Sequence, residues 1–217
     1  MRFGVLGTGM VGTALADKLV ALGHAVMMGA RDKGSAKAAA WADRAGASAG
    51  DFAEAARFGE IVIFAVLGSA VLEAARLAGA DNLAGKTVID VTNPLDFSKG
   101  MPPTLIPELS GTTSAAEEIQ KLLPGAHVVK ALNTMNCAIM VDPARVPGAH
   151  DVFVCGDDAA AKGRVVALLQ AFGWRNPVDL GDLAAARGTE GLMPFWLRLW
   201  ATLGTPDFNY HIARAGR

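Results

Sequence analysis

Residues 2–12 read Arg2-Phe3-Gly4-Val5-Leu6-Gly7-Thr8-Gly9-Met10-Val11-Gly12. Arg2 to Leu6 has the look of a short buried strand. After the glycines, Val11, Leu15, Leu19 and Leu22 recur at spacings of four, four and three, the single apolar stripe of a helix. Gly23 can take the left-handed conformation that ends such a helix, and Ala25 to Met28 supplies the next strand. The glycine run therefore sits at the turn between the first strand and the first helix of a complete βαβ unit. In that position a G-x-G-x-x-G has a physical reading. Gly7 permits the tight turn, Gly9 lets the backbone approach a pyrophosphate, and Gly12 lets helix and strand pack closely. The N–H groups and dipole at the helix start favour the anion. The bland alternative is a glycine-rich turn without a ligand.

Working outward, strand and helix periods keep alternating. An alanine-rich helix is expected from about Ser35 to Ala45. Ile61 to Ala65 and Thr87 to Val91 are β-branched runs suited to central strands buried on both faces. Ser114 with Glu117 reads as a capping box for a helix ending near Leu123, where Pro124-Gly125 turns the chain. Strands follow at His127 to Ala131 and Asp151 to Cys155. Asp157 and Asp158 can cap a helix whose inner face is Ala161, Val165, Leu168 and Phe172, stopped by Gly173. A last strand lies near Pro177 to Leu180. Asn93 to Pro107, with its four prolines, reads as a surface loop.

The expected fold is α/β, a Rossmann-type doubly wound, mainly parallel sheet with a small C-terminal helical extension. The expected division is a nucleotide-binding unit over residues 1–180 and a helical segment over 181–217. That segment carries Phe195, Trp196, Leu197, Leu199 and Trp200 on more than one helical face, so a homodimer contact is expected there. Trp196 and Trp200 read as packing residues.

With 52% hydrophobic residues in 217, the chain can bury a large core, which excludes disordered and collagen-like classes. A net charge of −1 gives no general attraction to nucleic acid or an anionic bilayer, so neither is an expected partner. Ile61 to Leu67, the longest apolar run of note, is far shorter than the ~20 residues of a membrane-spanning helix. Cys137 and Cys155 form no C-x-x-C pair and no metal-ligand spacing, so no metal site is expected and a reducing cytoplasm suits them.

The end of the second strand decides which dinucleotide fits. NAD sites place an acid there to bond the ribose hydroxyls. This chain reads Gly29-Ala30-Arg31-Asp32, so Arg31 can pair with a 2′-phosphate, with Lys33, Ser35 and Lys37 close by. The expected cofactor is NADP(H). The alternative is a solvated Arg31 with Asp32 reaching the ribose.

With these residues in hand, the chain resembles the NADP oxidoreductases that use the deazaflavin coenzyme F-420, relatives of the N-terminal domain of pyrroline-5-carboxylate reductase. The likeness rests on Gly7 to Gly12, Gly29-Ala30-Arg31, Asn93-Pro94-Leu95, Val129 to Thr134, Val154 to Asp158 and Phe208-Asn209-Tyr210. It implies that Thr8, Met10 and Val11 contact pyrophosphate and ribose, and that Ala30 and Arg31 flank the 2′-phosphate. Val66 and Leu67 would wall the nicotinamide. The segment from Asn133 to Ala138 would receive a second ring system, a deazaflavin of the F-420 type, and Asn93 would be a further cofactor-binding residue.

Hydride passing between two stacked rings needs position rather than acid or base, and no catalytic side chain is expected. His24, His127, His150 and His211 all read as structural, and Cys137 as a small packing residue. Two further functions stay open: an imine reductase related to pyrroline-5-carboxylate reductase, and a non-catalytic NADP(H)-binding redox sensor. The first is disfavoured by the short stretch left after Leu180.

Overall fold

The computed structural model describes residues 1–215. In chain order its elements are β1 (Arg2–Leu6), α1 (Met10–Ala21), β2 (Ala25–Ala30), α2 (Ala36–Ala45), β3 (Ser48–Asp51), α3 (Phe52–Phe58) and β4 (Ile61–Phe64). Then come α4 (Val71–Ala78), α5 (Ala80–Leu83), β5 (Thr87–Asp90), β6 (Leu95–Asp96), β7 (Thr104–Leu105), α6 (Ala115–Leu122) and β8 (His127–Ala131). The last are α7 (Cys137–Val141), β9 (Val152–Gly156), α8 (Ala159–Phe172), β10 (Pro177–Asp179), α9 (Ala186–Gly191) and α10 (Met193–Leu203).

Eight strands form one sheet in the order β10-β9-β8-β5-β4-β1-β2-β3. Every neighbouring pair is parallel except β8 with β9. The expected doubly wound sheet is therefore present, and the order reverses direction between β1 and β4, where ligands of such sheets bind.

The apolar strands explain the two layers. In β4, Ile61 and Ile63 face the cluster built with α1, α2, α7 and α8, while Val62 and Phe64 face the one built with α3, α4 and α6. All four side chains are buried, as a strand covered on both faces requires. Fully burying a side chain of this size contributes about 1.5–3 kcal/mol. Trp41 on α2 adds a polar tie, its Nε1 donating to Asp17 of α1 at 2.7 Å.

Two readings need amendment. Asn93 to Pro107 is not wholly loop, because β6 and β7 pair there as a short antiparallel ladder. Two-residue strands among prolines leave no periodicity to read. The Ser114 capping box is half formed: Ser114 Oγ accepts from Glu117 N at 3.1 Å, but the Glu117 carboxylate accepts from Ser114 Oγ at 2.8 Å and from Arg187 instead of from the Ser114 N–H, and Arg187 holds it below the usual carboxylate range. The complete box lies at Asp51 and Glu54, ahead of the unanticipated α3.

After β10 the chain does not leave the sheet at once. Leu183 and Ala186 are buried in the same layer as α3, α4 and α6. Pro194, which has no N–H, lies at the start of α10 and separates it from α9. Met193, Trp196 and Leu197 then pack with Leu95, Phe208 and Tyr210. The tail crosses back to the start of β9, where Asp151 N donates to Tyr210 O at 2.9 Å and Asn209 Nδ2 to Asp151 O at 2.9 Å.

Candidate active site

The glycine loop has the shape its sequence implies. Gly7 lies at φ +127, and a Cβ there would stand 2.3 Å from the Ala65 carbonyl. A Cβ on Gly12 would stand 2.0 Å from the Gly7 carbonyl, so α1 touches the loop with no room for a methyl group. At Gly9 a Cβ would meet nothing within 4 Å, and that open side belongs to the cleft. No side chain caps α1, whereas Ser35, Asp51, Ser114 and Asp158 cap α2, α3, α6 and α8. Its first-turn N–H groups are thus left for an anion.

A cleft of about 470 Å³ runs across the C-terminal ends of β1, β2 and β4. Gly7, Thr8, Gly9, Met10 and Val11 line its centre, Ala30, Arg31, Asp32 and Ser35 one end, and Ala65, Val66 and Leu67 the opposite wall. Met10 and Leu67 are 83% and 71% exposed at the rim, an unusual placement for apolar side chains that have no cover of their own. Gly12 is buried behind the loop and does not line the cleft.

The basic residues near β2 separate. Arg31 lies in the cleft lining with no acid within ion-pair distance among the described residues. Lys33 is engaged by Glu54 at 2.6 Å, a bond that raises the lysine pKa and lowers the glutamate pKa. Lys37 is exposed on α2, outside the lining. Asp32 also lines the cleft, so both the cation and the acid of the Arg31-Asp32 pair are at hand.

Asn93 and Asn133 stand beyond the cleft lining, at the ends of β5 and β8, and face each other. Asn93 Nδ2 donates to Asn133 O at 2.8 Å, and Asn133 Nδ2 donates to Asn93 Oδ1 at 2.9 Å. A Cβ on Gly68 would lie 1.8 Å from Asn93 O, so the loop that carries Val66 and Leu67 rests directly on this pair. Asn136 caps α7 by accepting from Ala138 N at 2.9 Å. The crossovers after β4, β5 and β8 therefore meet as one floor beside the glycine loop.

Sequence reading missed the α4 side of the cleft, which Ala70, Glu73, Ala74 and Leu77 supply, together with Phe52 from α3. The spacing of Val71, Ala74, Ala75 and Ala78 on one buried face is the signal that marks α4. The four histidines lie outside the cleft lining. His24 packs on Phe3 with ring centres 5.0 Å apart, and His150 Nε2 lies 2.9 Å from Pro143 O. Cys155 is buried, which pushes its thiol pKa up to about 12.

An open glycine turn under an uncapped helix, at the switch point of a parallel sheet and with a free arginine at the next strand end, defines a dinucleotide-binding protein of the Rossmann class. Residues 2–94 match the family described as NADP oxidoreductase, coenzyme F420-dependent. The F420-dependent NADP reductase of Methanothermobacter marburgensis is 30% identical over 210 residues, covering 92% of each chain. A solved chain from Arthrobacter sp. FB24, provisionally an F420-dependent NADP-reductase, is 48% identical at a TM-score of 0.93, covering 99% of this chain and 100% of that one. The metalloreductase STEAP3 of Rattus norvegicus is 32% identical over 200 residues, 90% of this chain but only 38% of that protein's length. An imine reductase from Myxococcus stipitatus, 19% identical at a TM-score of 0.66, shares the fold alone. The chain belongs to the F420-dependent NADP oxidoreductase family and is an oxidoreductase that uses NADP. Among the described residues no helix is long and apolar enough to cross a membrane.

Proposed function

We propose that this chain binds NADP(H) along the cleft and exchanges hydride with a deazaflavin of the F-420 type lying over the Asn93–Asn133 floor. The observation that carries the reading is the free Arg31 guanidinium in the cleft lining, at the strand end where a 2′-phosphate falls. The open side of Gly9 leaves room for the pyrophosphate, with Thr8, Met10 and Val11 around it. Gly7 and Gly12 shape the loop, Ala30 borders the phosphate end, and Val66 and Leu67 wall the nicotinamide. Asp32 and Ser35 are the polar neighbours of Arg31, and exposed Lys37 adds positive charge farther out.

When bound, NADPH supplies a hydride, and the deazaflavin takes it up with one proton from solvent. The chain's task is to hold two flat rings in contact and keep water from between them, work that needs no acid or base. Asn93 and Asn133 keep the floor in place, and Cys137 and Ala138 present small side chains at its edge.

In this reading residues 1–180 form the NADP-binding unit and the segment from 181 on, helical as far as Leu203, is an extension of it; residues 216 and 217 of the expected segment lie outside the described residues. The exposed Phe195, Trp200 and Leu203 of α10 form the contact of a homodimer in the cytoplasm. Anaerobic steady-state assay with NADPH, NADH and a panel of acceptors tests the function. Turnover that is confined to NADPH and a deazaflavin supports it; turnover with imines and none with a deazaflavin contradicts it. Light scattering that reports a monomer at micromolar concentration contradicts the dimer.

A further inference from the structure

Lys130 lies on β8 with its ammonium wholly enclosed. Its three N–H donors meet three oxygens: Asp90 Oδ2 at 2.8 Å, Glu190 Oε1 at 2.7 Å and the Thr92 carbonyl at 2.6 Å. The second oxygens are used as well. Asp90 Oδ1 accepts from Thr92 N at 2.9 Å, and Glu190 Oε2 accepts from Ala115 N at 2.9 Å. Glu190, carried by α9, thus sits on the first turn of α6, whose positive end helps balance the second buried carboxylate. Burial pushes the Glu190 pKa up while Lys130 opposes that shift. Burial works to lower the pKa of Lys130, but Asp90 and Glu190 together outweigh it and raise that pKa above the ordinary lysine value.

Stability alone is a poor reason for such a group. Each buried ion costs several kcal/mol of desolvation, and well-packed apolar side chains often do as well. What the group fixes is the backbone. Both the N–H and the carbonyl of Thr92 end on it, and Asn93 is the next residue. On the other strand, two residues separate Lys130 from Asn133. One of them, Leu132, is buried at φ +65, a left-handed conformation that a non-glycine residue keeps only where its surroundings hold it. Both arms close in the Asn93–Asn133 pair.

We propose that Lys130 and Glu190 are positioning residues for hydride transfer: with Asp90 they fix Thr92 and Leu132, and through them the Asn93–Asn133 floor beneath the second ring. The proposal rests on the functional reading above. It also gives the C-terminal segment a part in the reaction, because α9 brings Glu190 to the end of the sheet.

Glu190→Gln is the direct test. The three donors aimed at this side chain, Lys130 Nζ and the N–H groups of Ala115 and Ala116, would face only one acceptor atom. Single-turnover oxidation of bound NADPH by oxidised F-420 should slow about 10- to 100-fold, the scale of an ångström of misplacement, with NADPH affinity kept within about twofold. A crystal structure of the variant should show the Asn93–Asn133 pair opened or Leu132 moved from its positive φ. If Glu190→Gln does not fold, the triple variant Asp90→Asn, Lys130→Met, Glu190→Gln removes all three charges together and is read the same way. An unchanged rate, an intact pair with Leu132 in place, or a matching loss of NADPH affinity overturns the proposal. If the natural protein itself transfers no hydride to F-420, the functional reading fails, and the variant's crystal structure still decides whether the group positions the floor.

Discussion

Asn93 and Asn133 bind each other twice, side-chain amide to backbone carbonyl at 2.8 Å and side-chain amide to side-chain oxygen at 2.9 Å, although they lie 40 positions apart in the sequence. This pair joins the ends of β5 and β8, and the loop after β4 rests on it through Gly68. Replacing Asn93 with Ala removes both bonds and leaves the buried amide of Asn133 unpaired. The expected loss is about 2–3 kcal/mol of stability, read as a lower denaturant midpoint. Hydride transfer should suffer more than NADPH binding, because the pair lies outside the dinucleotide cleft. An Asn93→Ala protein with unaltered denaturation and unaltered transfer would remove the pair from the account.

Arg31→Ala should weaken NADPH binding by about 1.5–3 kcal/mol, the value of a charge-assisted contact to phosphate, and leave NADH binding nearly unchanged. Isothermal titration with both cofactors decides it. Equal losses for the two would mean that Arg31 serves the adenine or the fold instead of the 2′-phosphate.

Gly12→Ala has no such selectivity. Its methyl group would meet the Gly7 carbonyl at 2.0 Å, backbone against backbone, so either α1 shifts or the glycine loop opens. The expected cost is on the order of 3 kcal/mol, with both cofactors bound more weakly. Gly9→Ala is the informative contrast, since the added carbon meets no protein atom within 4 Å and would intrude only on a bound pyrophosphate. A thermal melt close to that of the natural protein, together with lost cofactor affinity, is expected there.

The contrast between those two glycines shows why the first βαβ unit was legible. Spacing, turn chemistry and the helical stripe from Val11 to Leu22 all sit within one short stretch and agree. The edge strand β3 was not legible, because Ser-Ala-Gly-Asp has neither alternation nor a β-branched run. Without β3 the capping box at Asp51 and Glu54 had no context, and the α4 wall of the cleft went unread in turn. Arg31 could be placed in the cleft lining because its position follows from the end of a strand. The partners of Asn93 and Lys130 could not, since β5, β8 and α9 meet only in the folded sheet. Lys130 is the clearest case: inside an apolar strand a lysine reads as a solvated edge, and nothing local points to Glu190, 60 residues on.

Replacing His24, His127, His150 and His211 singly with Gln should leave the chemical step within about tenfold, below the 10²-fold or greater loss typical of a general acid or base. Ala138→Leu should do more, since it crowds the edge of the floor while leaving the glycine loop and Arg31 untouched. Single-turnover rates across the five variants give the comparison. One slow histidine variant beside a normal Ala138→Leu would point instead to acid-assisted reduction of a small imine or carbonyl.

The central claim is that NADPH held by the glycine loop and Arg31 passes hydride directly to a deazaflavin over the Asn93–Asn133 floor. Its most direct test is an anaerobic single-turnover mixing of the NADPH-bound protein with an equal amount of oxidised F-420. The account predicts that the absorption bands of the reduced nicotinamide and the oxidised deazaflavin disappear together, one for one and at one rate. Persistence of both bands, with NADPH shown to be bound, would contradict it.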